Sequence, residues 1–179
     1  MKKVFVVVIA FFSLLLISGC DSKTSNCSNF NFDQFNLCFH TNYKYSVYED
    51  KLDGLGYGLL NNDIISMYKQ DDTSGFVSSL IINKRISDKS VKDYIAENMD
   101  LISIDWFKNE KSKLINTICN GERIELYVEN SKLKNNLNNI YFSQTFFKHD
   151  DYIYIVSFST ENIVDRDQFS NDIKNLSCK

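Results

Sequence analysis

Five cysteines and two histidines are the side chains with the most chemistry in this 179-residue sequence. Cys20 closes an apolar run, while Cys27, Cys38, Cys119 and Cys178 lie within a polar and aromatic body. Four cysteines in an exported chain read as two disulfides, and three pairings are open. In a reducing compartment the same four would be free buried thiols. No CxxC occurs, and only His40 and His149 could join a metal-ligand set, so the pattern argues against zinc. Nucleophilic catalysis needs a Ser or Cys beside a base and an orienting group. With two histidines and no GxSxG stretch, no such set can be read, and the expectation is a protein that is not an enzyme and has no cofactor. Asp and Glu occur throughout, and the sequence alone does not bring any two together. Asp71-Asp72 reads as solvent-facing turn chemistry rather than a cation site. Gly54-Leu55-Gly56-Tyr57-Gly58 has no helix after it and no Lys-Ser/Thr, so it reads as a loop or irregular edge rather than a phosphate cradle.

The amino-terminal stretch gives an address. Lys2 and Lys3 form a basic start, Val4 to Ile17 an apolar run, and Ser18-Gly19 a pair of small residues before Cys20. The run is shorter than the roughly 20 apolar residues of a membrane span. A polar segment, Asp21 to Asn26, follows it. Ile17-Ser18-Gly19-Cys20 resembles the lipobox of bacterial lipoproteins. That resemblance implies a signal peptide over residues 1–19. Cys20 would then carry a diacylglyceryl thioether and usually a third acyl (palmitate-type) chain on its amine. Two or more chains anchor stably where one does not, so a domain tethered to the lipid bilayer through Cys20 is expected. Asp21 resembles the inner-membrane retention signal of enteric-type lipoproteins and favours the inner membrane, with the domain facing the periplasm.

Loss of residues 1–19 removes Lys2 and Lys3 and no acid. This leaves 160 residues with 18 basic against 23 acidic side chains, a net charge of −5. That is enough chain for one domain with a real core. The charge argues against nucleic acid, which needs a basic patch, and against docking on anionic lipid. The 14% aromatic content argues for a globular domain rather than a disordered one.

Residues 20–35 read as a lipidated tether with an aromatic end, and 36–179 as a single domain. Strands are expected at 37–39, 43–48, 64–68 and 76–82. Ser90 caps a helix, with Asp93 as its capping-box partner. Val91, Tyr94, Ile95, Met99 and Ile102 form its inner stripe, and Trp106-Phe107 close that segment. Leu114 to Cys119 leads into Asn120-Gly121, a strong hairpin signal. Ile124, Leu126 and Val128 alternate with polar residues. A polar loop over 130–139 is then expected to precede strands at 141–147 and 152–158. The last of these is apolar on both faces, as in a central strand. A final helix is expected from Val164 to Leu176, with Phe169, Ile173 and Leu176 inside.

If the four late strands form a meander, the Asn120-Gly121 and His149-Asp150 turns share one end of the sheet. The last helix starts at the other end and returns, carrying Cys178 to Cys119. That favours Cys119–Cys178 and leaves Cys27–Cys38 to close a short loop.

The layout is therefore α+β, an antiparallel sheet packed by helices. Over about residues 36–177 it is similar to the DcrB-like family, which shares the PsbP-like α/β sandwich. The stretches that carry the likeness are Ser79 to Asn83 with the helix after it, Asn120-Gly121-Glu122, and Tyr152 to Phe158 with the closing helix. The family has no catalytic motif. Its members include a small envelope lipoprotein associated with phage uptake and chaperones of secretion effectors. The resemblance implies a non-catalytic binding or assembly role with an envelope protein partner. The alternative is an immunity or phage-exclusion lipoprotein that binds a toxin or phage component.

Overall fold

The computed structural model describes residues 27–47, 64–71, 78–102, 107–133 and 139–179. Cys20, Trp106 and the Gly54–Gly58 stretch lie outside them. The chain enters on a hairpin, β1 (Cys27–Phe32) and β2 (Phe35–His40), followed by the short β3 (Tyr45–Val47). Then come β4 (Ile64–Gln70), β5 (Ser79–Ile86) and helix α1 (Val91–Ile102). The second half runs β6 (Phe107–Cys119), β7 (Glu122–Leu133), β8 (Tyr141–His149) and β9 (Tyr152–Thr160). It closes with α2 (Ile163–Asp172), a 3-10 turn (Ile173–Asn175) and β10 (Ser177–Cys178).

These strands make two sheets. Seven are ordered β3-β4-β5-β9-β8-β7-β6, with every pairing antiparallel, and three are ordered β1-β2-β10. The four late strands form the expected meander, and β9, apolar on both faces, lies in the interior between β5 and β8. Asn120 and Gly121 both take positive φ (51° and 84°), which a tight two-residue hairpin requires. The expected loop at 130–139 is shorter than its composition suggests. Asn130 to Leu133 extend β7, paired to β6 and β8, while residues 134–138 lie outside the described set. Phe107 likewise begins β6 instead of closing the helix.

The expected tether over 20–35 is corrected from Cys27 onward. Phe30, Phe32 and Phe35 are at most 3% exposed. Burying each such ring contributes roughly 2 kcal/mol, so this segment is core. Period-2 alternation explains it: Phe30 and Phe32 on β1, and Phe35, Leu37 and Phe39 on β2, all turn inward, while Cys38 and His40 turn outward. Phe35 packs edge-on against Phe147 and Tyr154, and Phe39 against Phe158 and Phe169. Asp33, at the hairpin tip, accepts from Lys84 Nζ and Tyr154 Oη, both at 2.7 Å, which ties the small sheet to the large one.

Layering follows from register. One face of the large sheet carries Leu80, Ile82, Val156, Phe158, Phe147, Leu126 and Ile124, and packs on the small sheet and α2. The opposite face carries Phe146, Ile153 and Ile155, and packs on Tyr94 and Ile95 of α1. That helix starts as expected. Ser90 Oγ accepts from the Asp93 backbone N–H at 3.1 Å and donates to the Asp93 carboxylate at 2.7 Å. Asn162 caps α2 by accepting from Val164 N at 2.9 Å. No helix among the described residues is long and apolar enough to cross a membrane.

Candidate functional site

The alternation that buries the phenylalanines of the first hairpin leaves Cys27, Cys38 and His40 together on its outer side. Cys27 lies opposite His40 in the ladder, and Cys38 is two residues before His40 on the same face. Cys27 and Cys38 stand at disulfide distance, with Cα atoms 5.4 Å apart. The ladder thus selects one of the three open pairings. The other pair, Cys119 and Cys178, is also at disulfide distance, with Cα atoms 5.1 Å apart, as the meander argument requires. Thr117 Oγ1 donates to Leu176 O at 2.9 Å beside it, and β10 pairs with β2.

Around His40 the structure adds a partner that spacing could not show. Asp172, the last residue of α2, is only 5% exposed. Its Oδ2 accepts from the His40 backbone N–H at 2.8 Å, and its Oδ1 lies 3.1 Å from His40 Nδ1. Gln168 Nε2 donates to the same Oδ1 at 3.0 Å. A carboxylate on Nδ1 assigns the ring proton there and leaves Nε2 free to act as base. Nε2 faces Cys38 Sγ at 3.9 Å. The row Cys38–His40–Asp172 has the order sulfur, base, orienter that activates a nucleophile. With Cys38 joined to Cys27 the sulfur cannot attack a substrate, so the chemistry open to the row as built is exchange at the disulfide. His149 plays no such part. Its ring lies edge-on to Phe35 at 5.3 Å, and Asp150 is 3.9 Å away.

A second polar concentration lies between α2 and the β6–β8 end of the sheet. Arg166 is 1% exposed yet charged. It bonds Glu110 Oε2 at 2.5 Å, Asp167 Oδ1 at 3.0 Å and the Ser131 carbonyl at 3.4 Å, with its guanidinium 5.2 Å from the Tyr141 ring centre. Beside it Lys111, Lys113, Asn130, Asp167 and Ser170 line a cleft of about 130 Å³. Burial, then repulsion from Lys174, lowers the Lys113 amine below its ordinary pKa. Small-molecule sites usually exceed about 300 Å³, so this cleft has room for a few waters. One such water would serve Asn130 Oδ1, which lines the cleft and is buried without a partner among the described residues. Arg166 reads as a polar fastener between α2 and the sheet. Its burial carries no sequence signature, because Val-Asp-Arg-Asp-Gln looks like an exposed helix turn.

Of the other residues singled out from sequence, Asp71 accepts from Ser46 Oγ at 2.5 Å, a turn contact to β3, and Asp72 lies outside the described residues.

No protein-family model matches the chain, and no curated protein sequence does. Among solved structures, the chain is similar to a protein of unknown function, PA94, from Pseudomonas aeruginosa. The identity is 14%, the overlap covers 84% of this chain and 92% of that one, and the TM-score is 0.44. An overlap this loose carries no argument about activity.

Proposed function

We propose that this chain is a cell-envelope lipoprotein, anchored to the bilayer through acylated Cys20, whose folded domain works by binding or helping to assemble an envelope protein partner. The observation that carries the reading is the pair of cysteine pairs at disulfide distance. Disulfides persist in oxidising compartments and are rare in reducing ones, and that agrees with an export signal ending at Ile17-Ser18-Gly19-Cys20. The domain is assigned to the DcrB-like type of PsbP-like α/β sandwich on the order of its elements. Asp21 favours the inner membrane, with the domain facing the periplasm.

The test is metabolic labelling with palmitate and fractionation of wild type and Cys20→Ala. The wild type takes up label and sediments with membranes, while the variant takes up none and is not processed to the mature length. An unlabelled wild type, or a variant equally labelled, refutes the anchor. Crosslinking in cells with mass identification of what is captured then asks for the partner.

A further inference from the structure

We propose that Cys27–Cys38 is a thiol–disulfide exchange site, in which a partner dithiol attacks Cys27 and His40, oriented by Asp172, receives Cys38 as the leaving sulfur. This goes beyond the binding reading and does not depend on the lipid anchor.

Three observations carry it. The first is access: Cys27 and Cys38 are both half-buried on the outward side of the hairpin, whereas in the other pair only Cys178 is half-buried and Cys119 is 2% exposed. The second is redundancy. β1 and β2 are already paired at six successive positions from Cys27↔His40 to Phe32↔Phe35, and their inward rings are buried. Opening the Cys27–Cys38 bond therefore leaves both strands held, as an exchanging disulfide requires. The third is the His40–Asp172 pair. One bond from the His40 backbone N–H to Asp172 would suffice to dock the end of β2 on α2. The second bond, on Nδ1, fixes the ring so that Nε2 faces the Cys38 sulfur. Exchange rates rise when the departing thiolate is stabilised, and a neighbouring imidazolium does this.

The step balances as follows. A thiolate of the partner dithiol forms a bond to Cys27 Sγ, the Cys27–Cys38 bond breaks, and its electron pair goes to Cys38 Sγ. His40 Nε2 takes a proton from water, with the Nδ1 proton still held on Asp172, and passes it to that sulfur. The partner's second thiol, giving its proton to water, attacks the mixed disulfide and releases Cys27 as a thiolate, which takes a proton from water. The chain gains two electrons and the partner dithiol becomes a disulfide. The reverse sequence, with His40 as base on the Cys38 thiol, reduces a partner disulfide and restores the Cys27–Cys38 bond. The substrate class is thus a protein or small-molecule dithiol in the same compartment.

The test uses the oxidised, detergent-solubilised full-length chain, with dithiothreitol as the probe at fixed pH. Reactions are quenched with acid, free thiols are alkylated, and each cysteine is located by mass spectrometry. In the wild type Cys27 and Cys38 become free while Cys119 and Cys178 stay joined and circular dichroism is unchanged. His40→Ala opens the pair at least about tenfold more slowly, a conservative threshold beside the roughly hundredfold that loss of a proton-transfer partner usually costs. Asp172→Asn, a positioning change of nearly equal shape, slows it and alters the pH profile of the rate, which a purely structural contact would not do. His149→Ala matches the wild type. Equal rates in wild type, His40→Ala and Asp172→Asn, all folded, overturn the proposal, as does opening of both pairs together with loss of the fold.

Discussion

Replacing Cys119 and Cys178 together by alanine tests how much of the fold rests on one long-range tie. The pair closes a loop of 59 positions. In the chain-entropy account, a loop of that length restricts the unfolded chain by about 4 kcal/mol, against about 3 kcal/mol for the 11-position loop of Cys27–Cys38. About 4 kcal/mol is a ceiling, because residual structure already restricts the unfolded chain, and on the folded side other contacts still hold the end of the chain in place. Thr117 Oγ1 bonds Leu176 O, Lys179 N donates to Gln34 O at 2.8 Å, and Ser177 and Cys178 pair with Asn36 and Phe35. Leu176, Ile173 and Phe169 keep their burial. The expected loss is therefore about 2–4 kcal/mol, or roughly 4–16 °C in Tm for a domain of this size. Urea unfolding followed by far-ultraviolet circular dichroism measures it from the midpoint together with a slope that rises as the freed unfolded chain expands. A loss under about 1 kcal/mol would refute the reasoning, since it would mean that the unfolded chain was never restricted by this tie.

Arg166→Ala removes a buried cation that bonds two carboxylates and a carbonyl, and it leaves a cavity under Tyr141. A loss of about 2–4 kcal/mol is expected in the same urea assay, and Arg166→Met, which refills the space, should lose less. Glu129 is 8% exposed and bonded to Asn109, and burial raises its carboxyl pKa despite that bond. The sign follows from proton counting. Well below the ordinary carboxyl pKa both states are protonated and the group contributes nothing. As pH rises through that value the unfolded chain ionises first, and stability falls until the folded carboxyl ionises as well. Glu129→Gln should therefore be more stable than wild type at pH 7, with the gain vanishing in acid, as read from melting temperatures across pH.

Much of the second half was legible because local and long-range signals agreed there. Asn120-Gly121 fixed a turn, strict alternation in Arg123 to Val128 fixed a face, and the meander's geometry then placed Cys178 beside Cys119. In the first hairpin the strand at 37–39 is legible, but the strand before it is not, for the opposite reason. Cys27-Ser28-Asn29-Phe30-Asn31-Phe32 is polar at every other position, and it follows a stretch resembling a lipobox, which makes a tether the natural expectation. Only pairing with Phe35-Asn36-Leu37-Cys38-Phe39 shows both runs to be halves of one buried face. The Cys38–His40–Asp172 row had no sequence signal of its own. His40 and Asp172 are 132 positions apart, on a strand and a helix end whose meeting depends on the whole topology. The same holds for Arg166, whose burial is set by where α2 lands rather than by its neighbours in the chain.

The smaller sheet joins residues made at opposite ends of synthesis. Ser177 Oγ donates to Asn36 O across 141 positions, and β10 supplies the strand that flanks β2. A chain threaded through a membrane from its amino terminus therefore delivers the hairpin long before the strand that flanks it or the helix that covers it. Until then Phe35, Leu37 and Phe39 have no interior to enter, and contacts of such long sequence separation form late. In a chain exported as proposed, this topology would keep the first hairpin open during passage and let it close once the last strand has emerged. On that proposal the first cysteines of the folded domain to arrive, Cys27 and Cys38, would spend that interval beside solvent, within reach of oxidants before the core has formed.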